Sequence, residues 1–371
     1  MSKRILITGG AGFIGSHLAD ELVRAGHHVR VLDPLSPQVH GEKAERPDYL
    51  HPDVRLLRGC VEDADLIADA LVGVDAVYHL AAKVGVGQSM YDINGYTTTN
   101  NAGTAVLLEA LLRHPVERLV VASSMNIYGE GLYRDSAGRL VAGGTRSLEQ
   151  LKARDWELRD DANSPLTPVP TPETKQPALA SVYALSKFDQ ERMCLLVGRA
   201  YGIPTVALRF FNVYGPRQSL SNPSAGVLAI FASQLLNGQR PIIFEDGQQS
   251  RDFVNVRDIA HACHLALEAP GAVNQVFNIG SGRNFSVLEI AQRLAGILGK
   301  DVEPDITHRY RVGDIRHCFA DITAARHRLG YTPQVTFEEG LTELAEWLEG
   351  RIADNRFEEA HNELAARGLT V

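Results

Sequence analysis

Tyr183 and Lys187 stand four residues apart, in Tyr183-Ala184-Leu185-Ser186-Lys187. On a helix, residues at that spacing share a face. A phenol titrates near 10 and is a poor base at neutral pH; a neighbouring ammonium lowers that barrier by stabilising the phenolate. Taken alone, such a pair is more often a solvated helix face. A second group gives it weight: Ser123-Ser124-Met125-Asn126-Ile127-Tyr128-Gly129 follows a short apolar run, and a serine there can hydrogen-bond the oxygen whose proton the tyrosine removes. A third constellation is Gly9-Gly10-Ala11-Gly12-Phe13-Ile14-Gly15. Glycines at that spacing serve a tight turn, close approach to a pyrophosphate and close helix packing. Asp33, 18 positions after Gly15, supplies a carboxylate that accepts hydrogen bonds from ribose hydroxyls and repels a 2′-phosphate, favouring NAD over NADP.

These residues need strands and helices in alternation. Arg4–Thr8, Val29–Asp33, Val54–Arg58, Ala76–Leu80, Arg118–Ser123, Thr205–Phe210 and Gln275–Ile279 read as apolar strands. Phe13–Ala25, Thr97–Arg113, Ser181–Ala200 and Arg257–Glu268 have helical spacing. Strand-helix alternation predicts a doubly wound parallel α/β sheet of the Rossmann type, with a smaller, discontinuous C-terminal α/β domain for substrate. The expected boundaries are 1–211 with 252–281 for the cofactor domain, and 212–251 with 282–350 for the second. The alternation breaks over 130–177, a polar, proline-containing stretch with one amphipathic piece, Ser147–Arg159; it reads as a surface excursion, a flap near the substrate or a decoration. The charged residues 351–371 read as a peripheral tail.

At 371 residues the chain can bury a large core. Its formal charge of −8 argues against nucleic acid or an anionic membrane as partner. No apolar run reaches the roughly 20 residues of a membrane span. Cys60, Cys194, Cys263 and Cys318 are scattered without metal-ligand spacing, so no metal is expected. The start of the chain reads directly into a strand, and the expected compartment is the cytoplasm.

In combination, the segments Thr8 to Gly15, His79-Leu80-Ala81-Ala82, Asn100 with Gly103-Thr104, Ser124, Tyr183 with Lys187, Arg209 to Arg217, Asp246 to Asp258, and Arg311 with Gly313-Asp314 resemble the extended short-chain dehydrogenase/reductase family, in particular its nucleotide-sugar epimerases and dehydratases. The resemblance runs from about Lys3 to Gly350. It implies that Tyr183 is the base, that Lys187 holds the nicotinamide ribose and that Ser124 orients the sugar hydroxyl. NAD would be lined by Gly9, Gly12, Phe13, Ile14, Gly15, Asp33, Cys60, Val61, His79, Leu80, Ala81, Ala82 and Asn100 together with Tyr183 and Lys187. The nucleotide-diphosphate sugar would meet Lys83, Ser124, Met125, Asn126, Tyr183, Asn212, Val227, Arg251, Arg311 and Asp314. The arginines make physical sense there, because a diphosphate needs charge-assisted donors. Cys60 departs from the family's aspartate at the adenine, and a thiol is a weak hydrogen-bonding group. A homodimer through Thr97–Arg113 and Ser181–Ala200 is also implied.

The reaction turns on positions 125 and 126. Dehydratases of this family place an Asp-Glu pair after the catalytic Ser/Thr; here Met125 and Asn126 stand there, and neither a thioether nor an amide is a general acid. The expectation is therefore 4-epimerisation with retained NAD, on a dTDP- or UDP-hexose or deoxyhexose such as dTDP-L-rhamnose. Dehydration on the same fold, or a non-catalytic NAD-binding protein, are the alternatives.

Overall fold

A computed structural model describes residues 1–41, 45–219, 226–310, 314–349 and 357–368. Seven strands form one sheet: β1 Arg4–Thr8, β2 His28–Asp33, β3 Arg55–Arg58, β4 Ala76–His79, β5 Arg118–Ser124, β6 Thr205–Phe210 and β7 Gln275–Ile279. All pair in parallel, in the order β3-β2-β1-β4-β5-β6-β7. Five helices cover it: α1 Phe13–Arg24, α2 Ala64–Leu71, α3 Gly103–Arg113, α4 Val182–Tyr201 and α5 Val256–Glu268.

The strands read as continuous apolar runs because both faces are covered, and the period of two sorts their side chains. Ile5, Ile7, Val29, Val31, Val120, Val206 and Leu208 share a core with Leu18 and Leu22 of α1 and Ile259 and Cys263 of α5. Leu6, Leu32, Val77, Leu119, Val121 and Ala207 point the other way, onto Ile67 of α2, Leu107 and Leu111 of α3 and Cys194 of α4. Between β1 and β4 the strand order reverses, and in an open parallel sheet the crevice at that reversal, beyond the carboxyl ends of the strands, is where ligands sit. Thr8, His79, Ser124 and Phe210 end the central strands on that edge.

A separate core joins Tyr214, Phe231, Phe253, Phe285, Ile290, Phe337 and Leu341, carried by helices Val227–Leu236, Val287–Ile297 and Phe337–Leu348. Phe337–Leu348 starts on a capping box between Thr336 and Glu339.

The excursion at 130–177 is more structured than the sequence suggested. Leu132–Arg134 pairs antiparallel with Leu140–Ala142 on one side and Thr167–Val169 on the other. Within the amphipathic piece Ser147–Arg159 only Leu148–Lys152 is helical; Arg154 adopts a positive φ of 57° and turns the chain off the helical path. The tail also has structure: Phe357–Ala366 is helical, Leu364 lies against Gly87, and the Arg367 guanidinium stacks 4.5 Å over the Tyr91 ring. Among the described residues, no helix is long and apolar enough to cross a membrane, and no group of three or more His, Cys, Asp or Glu is arranged to hold a metal.

Candidate active site

The glycine loop leaves β1 and enters α1. Gly9 has φ +72°, and a Cβ there would meet the Ala81 nitrogen at 2.9 Å, so this turn admits no ordinary side chain. A Cβ on Gly10 would lie 2.4 Å from Val31 Cγ1, and one on Gly15 2.4 Å from the Gly9 oxygen; these two glycines set strand and helix packing. Gly12 differs. It caps the amino end of α1, and a Cβ there would meet only the Gly9 oxygen, at 3.4 Å. Its bare Cα faces open space where the first N–H groups of α1 point outward, the arrangement that receives a phosphate. Phe13 and Ile14 open that helix. Asp33, buried at the end of β2, accepts from Ala11 N (3.1 Å) and Leu35 N (2.9 Å), and His40 Nε2 is 3.6 Å away. A carboxylate has about four lone-pair sites, so capacity for ribose hydroxyls remains. Val61 is buried beside this end of the sheet while Cys60 is exposed; burial and the nearby Glu62, Asp63 and Asp33 push the Cys60 thiol up, so it stays protonated. These features fit a dinucleotide.

Ser181 caps α4 by accepting from Ala184 N at 3.0 Å, which puts Tyr183 and Lys187 on successive turns facing the sheet. Both are buried, as is Ser124 at the end of β5. Ser124 Oγ accepts from Asn126 N (3.2 Å) and Asn126 Nδ2 (3.1 Å). A hydroxyl has two lone pairs and one proton; with Asn126 filling the lone pairs, the Ser124 proton is left free to donate to a third group. Burial raises the Tyr183 phenol, and the neighbouring Ser124 side chain opposes the rise. The Tyr96 ring meets Tyr183 edge-on at 6.3 Å.

Lys187 donates to Gln190 Oε1 at 2.6 Å. Burial pushes the lysine down to about 8. Gln190 Nε2 donates to Thr104 Oγ1 (2.9 Å) and Ala81 O (3.3 Å), which fixes its amide with the oxygen toward Lys187. Thr104 gives its own proton to Asn100 O at 2.6 Å. Its 2.8 Å contact with His79 Nε2 therefore has the imidazole donating, and Thr8 donates to His79 Nδ1 at 2.8 Å. Burial and the Lys187 charge hold His79 neutral, down to about 3. His79, expected to line the cofactor, thus belongs to a buried relay that reaches Lys187. Gln190 was missed as a functional residue; Thr8 and Thr104 were named as motif residues without a role. The available signal was a polar residue at i+3 from Lys187 on the face that α4 buries.

The other expected residues divide. Leu80 and Ala81 run over the glycine turn, Leu80 N donating to Thr8 O at 3.1 Å; Ala82 follows, half-buried. Both amide protons of Asn100 are committed, to Lys83 O (3.0 Å) and Ser186 Oγ (2.9 Å), and its oxygen accepts from Lys83 N (2.7 Å); it holds the 80–83 loop and presents no free donor. The Lys83 ammonium is paired with Asp92. Met125 is not presented to a ligand: it is 4% exposed and sits in the main core, since the residue after Ser124 turns back under the sheet. Asn212 Oδ1 is buried without a hydrogen-bond partner, an acceptor suited to a ligand donor. Val227 opens its helix half-buried. Arg251 donates to Ser250 O (2.9 Å), Arg316 O (3.0 Å) and Ile315 O, with Asp314 Oδ1 3.8 Å away. Arg311 lies outside the described residues.

The comparisons with known proteins agree with this geometry. The model of the NAD dependent epimerase/dehydratase family matches residues 5–149 and 159–280. The dTDP-L-rhamnose 4-epimerase of Burkholderia thailandensis is 36% identical over 353 residues, spanning 93% of this chain and 95% of that protein. A putative UDP-glucose 4-epimerase of Methanocaldococcus jannaschii is 33% identical, over 93% and 98%. Among solved structures, the UDP-glucose 4-epimerase of Thermotoga maritima with UDP-glucose superposes with a TM-score of 0.77 at 33% identity, over 93% and 98%. The UDP-glucuronic acid 4-epimerase of Bacillus cereus, with UDP-glucuronic acid and NAD, does so at 0.74 and 29%, over 93% and 99%. With a glycine loop, a buried aspartate closing the next strand and a Ser-Tyr-Lys set on one sheet edge, this chain belongs to the NAD-dependent epimerase/dehydratase family.

Proposed function

We propose that the protein is an NAD-dependent nucleotide-sugar 4-epimerase acting on a dTDP- or UDP-linked hexose or deoxyhexose. One observation carries the choice of reaction. Beside the Ser124–Tyr183 pair, the two positions where dehydration needs an acid and a base hold Met125, buried in the core, and Asn126, turned back onto Ser124.

Tyr183 takes the proton of the sugar C4 hydroxyl, while the Ser124 hydroxyl, directed by Asn126, donates to the phenolate oxygen and steadies it. NAD, which the glycine loop, Asp33 and Lys187 would hold, would supply the hydride acceptor for C4. Lys187, held by Gln190 under the ribose position, keeps a positive charge near the phenolate. The 4-keto sugar turns over and Tyr183 returns the proton. The unused donors of Arg251 receive the nucleotide diphosphate, while Asn212 Oδ1 and Asp314, as acceptors, receive N–H or O–H groups of the nucleotide sugar. No step consumes cofactor, so NAD is retained between turnovers. The match to a dTDP-L-rhamnose 4-epimerase at 36% identity supports a deoxyhexose substrate. A second copy of the chain fits the outer face of α3 and α4, where Leu112, Leu185 and Leu196 are exposed.

The test is direct. Purified protein is incubated with dTDP-, UDP-, GDP- and CDP-sugars without added NAD and the products read by NMR. Interconversion of a C4 epimer pair is expected; a keto-deoxy sugar as the sole product refutes the reading.

A further inference from the structure

The excursion at 130–177 holds a stretch of backbone in the second domain almost bond by bond. Along 314–317, Arg146 Nη2 donates to Asp314 O (2.9 Å). Glu130 takes Arg316 N on one carboxylate oxygen (2.6 Å) and His317 N on the other (3.2 Å), and Gly131 N donates to His317 O (2.8 Å). From the opposite side, Arg251 donates to Ile315 O and Arg316 O. The pose of the Arg251 guanidinium therefore depends on a strand that the excursion fixes.

Side chains reinforce the join. Arg316, 1% exposed, meets Glu157 of the excursion (2.6 Å), Glu245 (3.1 Å) and Asp246 (2.7 Å), and His317 Nε2 lies 3.0 Å from Glu157. Glu245 is wholly buried with φ +55°, a conformation that a non-glycine residue keeps only where its surroundings over-determine it. What holds it is its carboxylate, set between Arg146 Nη1 (2.8 Å) and Arg316 Nη1 (3.1 Å). Buried charge of this kind is weak evidence for stability, because desolvation offsets most of the attraction. Its directional bonds are better suited to fixing geometry, and the geometry they fix is that of Arg251 and Asp314.

We propose that residues 130–177 form an integral wall of the nucleotide-sugar site, in which Arg146 and Glu130 are positioning residues that set where Arg251 meets the diphosphate of the substrate. This rests on the reading above that Arg251 faces that diphosphate.

The experiment uses the full-length, NAD-loaded protein. Calorimetric titration with UDP, dTDP, GDP and CDP identifies the diphosphate that binds the parent most tightly, and that probe is carried through R146M, E130Q and R251A. Glu130→Gln keeps volume and guards against a folding defect in Arg146→Met. Once the strand at 314–317 is no longer held in place, the Kd of both R146M and E130Q rises by about tenfold or more, while NAD content per chain matches the parent; a purely structural defect would lower cofactor content as well. Parental Kd in R146M and E130Q with a weakened R251A overturns the inference and leaves the reading of Arg251 standing. Parental Kd in R251A overturns that reading, and the inference with it.

Discussion

Replacing Gln190 by methionine keeps the volume of the side chain and removes the acceptor at 2.6 Å from the Lys187 ammonium. Lys187 is buried, and burial has already pushed it down to about 8. Losing a hydrogen bond to a charged group costs about 1.5–3 kcal/mol, and about 1.36 kcal/mol moves a titration midpoint by one pH unit, so the lysine in Q190M deprotonates about one to two pH units lower. The sign follows from its role: the positive charge is needed, and activity is lost as pH rises through the Lys187 midpoint. The parent keeps activity until about pH 8, and Q190M loses it well below that. The assay is kcat/KM for the epimer pair across pH, with NAD content measured on the same preparations. An unmoved alkaline limb in Q190M with full NAD content refutes the relay as the support of Lys187.

Tyr183→Phe removes the proton acceptor; turnover falls by about 10²–10⁴-fold with NAD still bound, checked by product NMR and by cofactor release on denaturation. Asp33→Asn turns an amide proton toward the Ala11 or Leu35 N–H that the carboxylate now accepts. It also replaces the charged acceptor of the ribose hydroxyls by a neutral one; a hydrogen bond to a charged group is worth about 1.5–3 kcal/mol, so NAD is held roughly 10–100-fold more weakly, measured by titration of cofactor-stripped protein. Glu157 tests the excursion by pH. Burial opposes ionisation, but His317 and Arg316 hold this carboxyl down to about 2. Its folded value lies below its unfolded one, so its contribution is present above the ordinary glutamate range and is lost as pH falls toward 2. The fluorescence of Trp156, packed near Tyr310, follows that loss between about pH 4.5 and 2. Glu157→Gln, which has no such titration, removes that step.

The local chemistry of the cofactor end was legible in the sequence. A strand entering Gly9 to Gly15 and an aspartate closing the next strand are contiguous signals, each set by backbone constraints that hold wherever the segment lies. Tyr183 and Lys187 were legible for the same reason, since helical spacing alone puts them on one face. The sequence also determined that Met125 and Asn126 carry no acid, which decides between epimerisation and dehydration. Only the tertiary structure decided what surrounds these groups. That Lys187 is held by Gln190, that Asn126 occupies the Ser124 oxygen, and that Asn100 is spent on a loop are matters of hydrogen-bond partners that only the fold supplies. The excursion at 130–177 was opaque for the same cause. Its short strands and single-turn helix give weak periodicity, and its meaning lies in contacts with residues more than 150 positions away, such as Glu130 with Arg316. Sequence determines which groups a protein possesses; burial and long-range pairing decide which of them remain free to act.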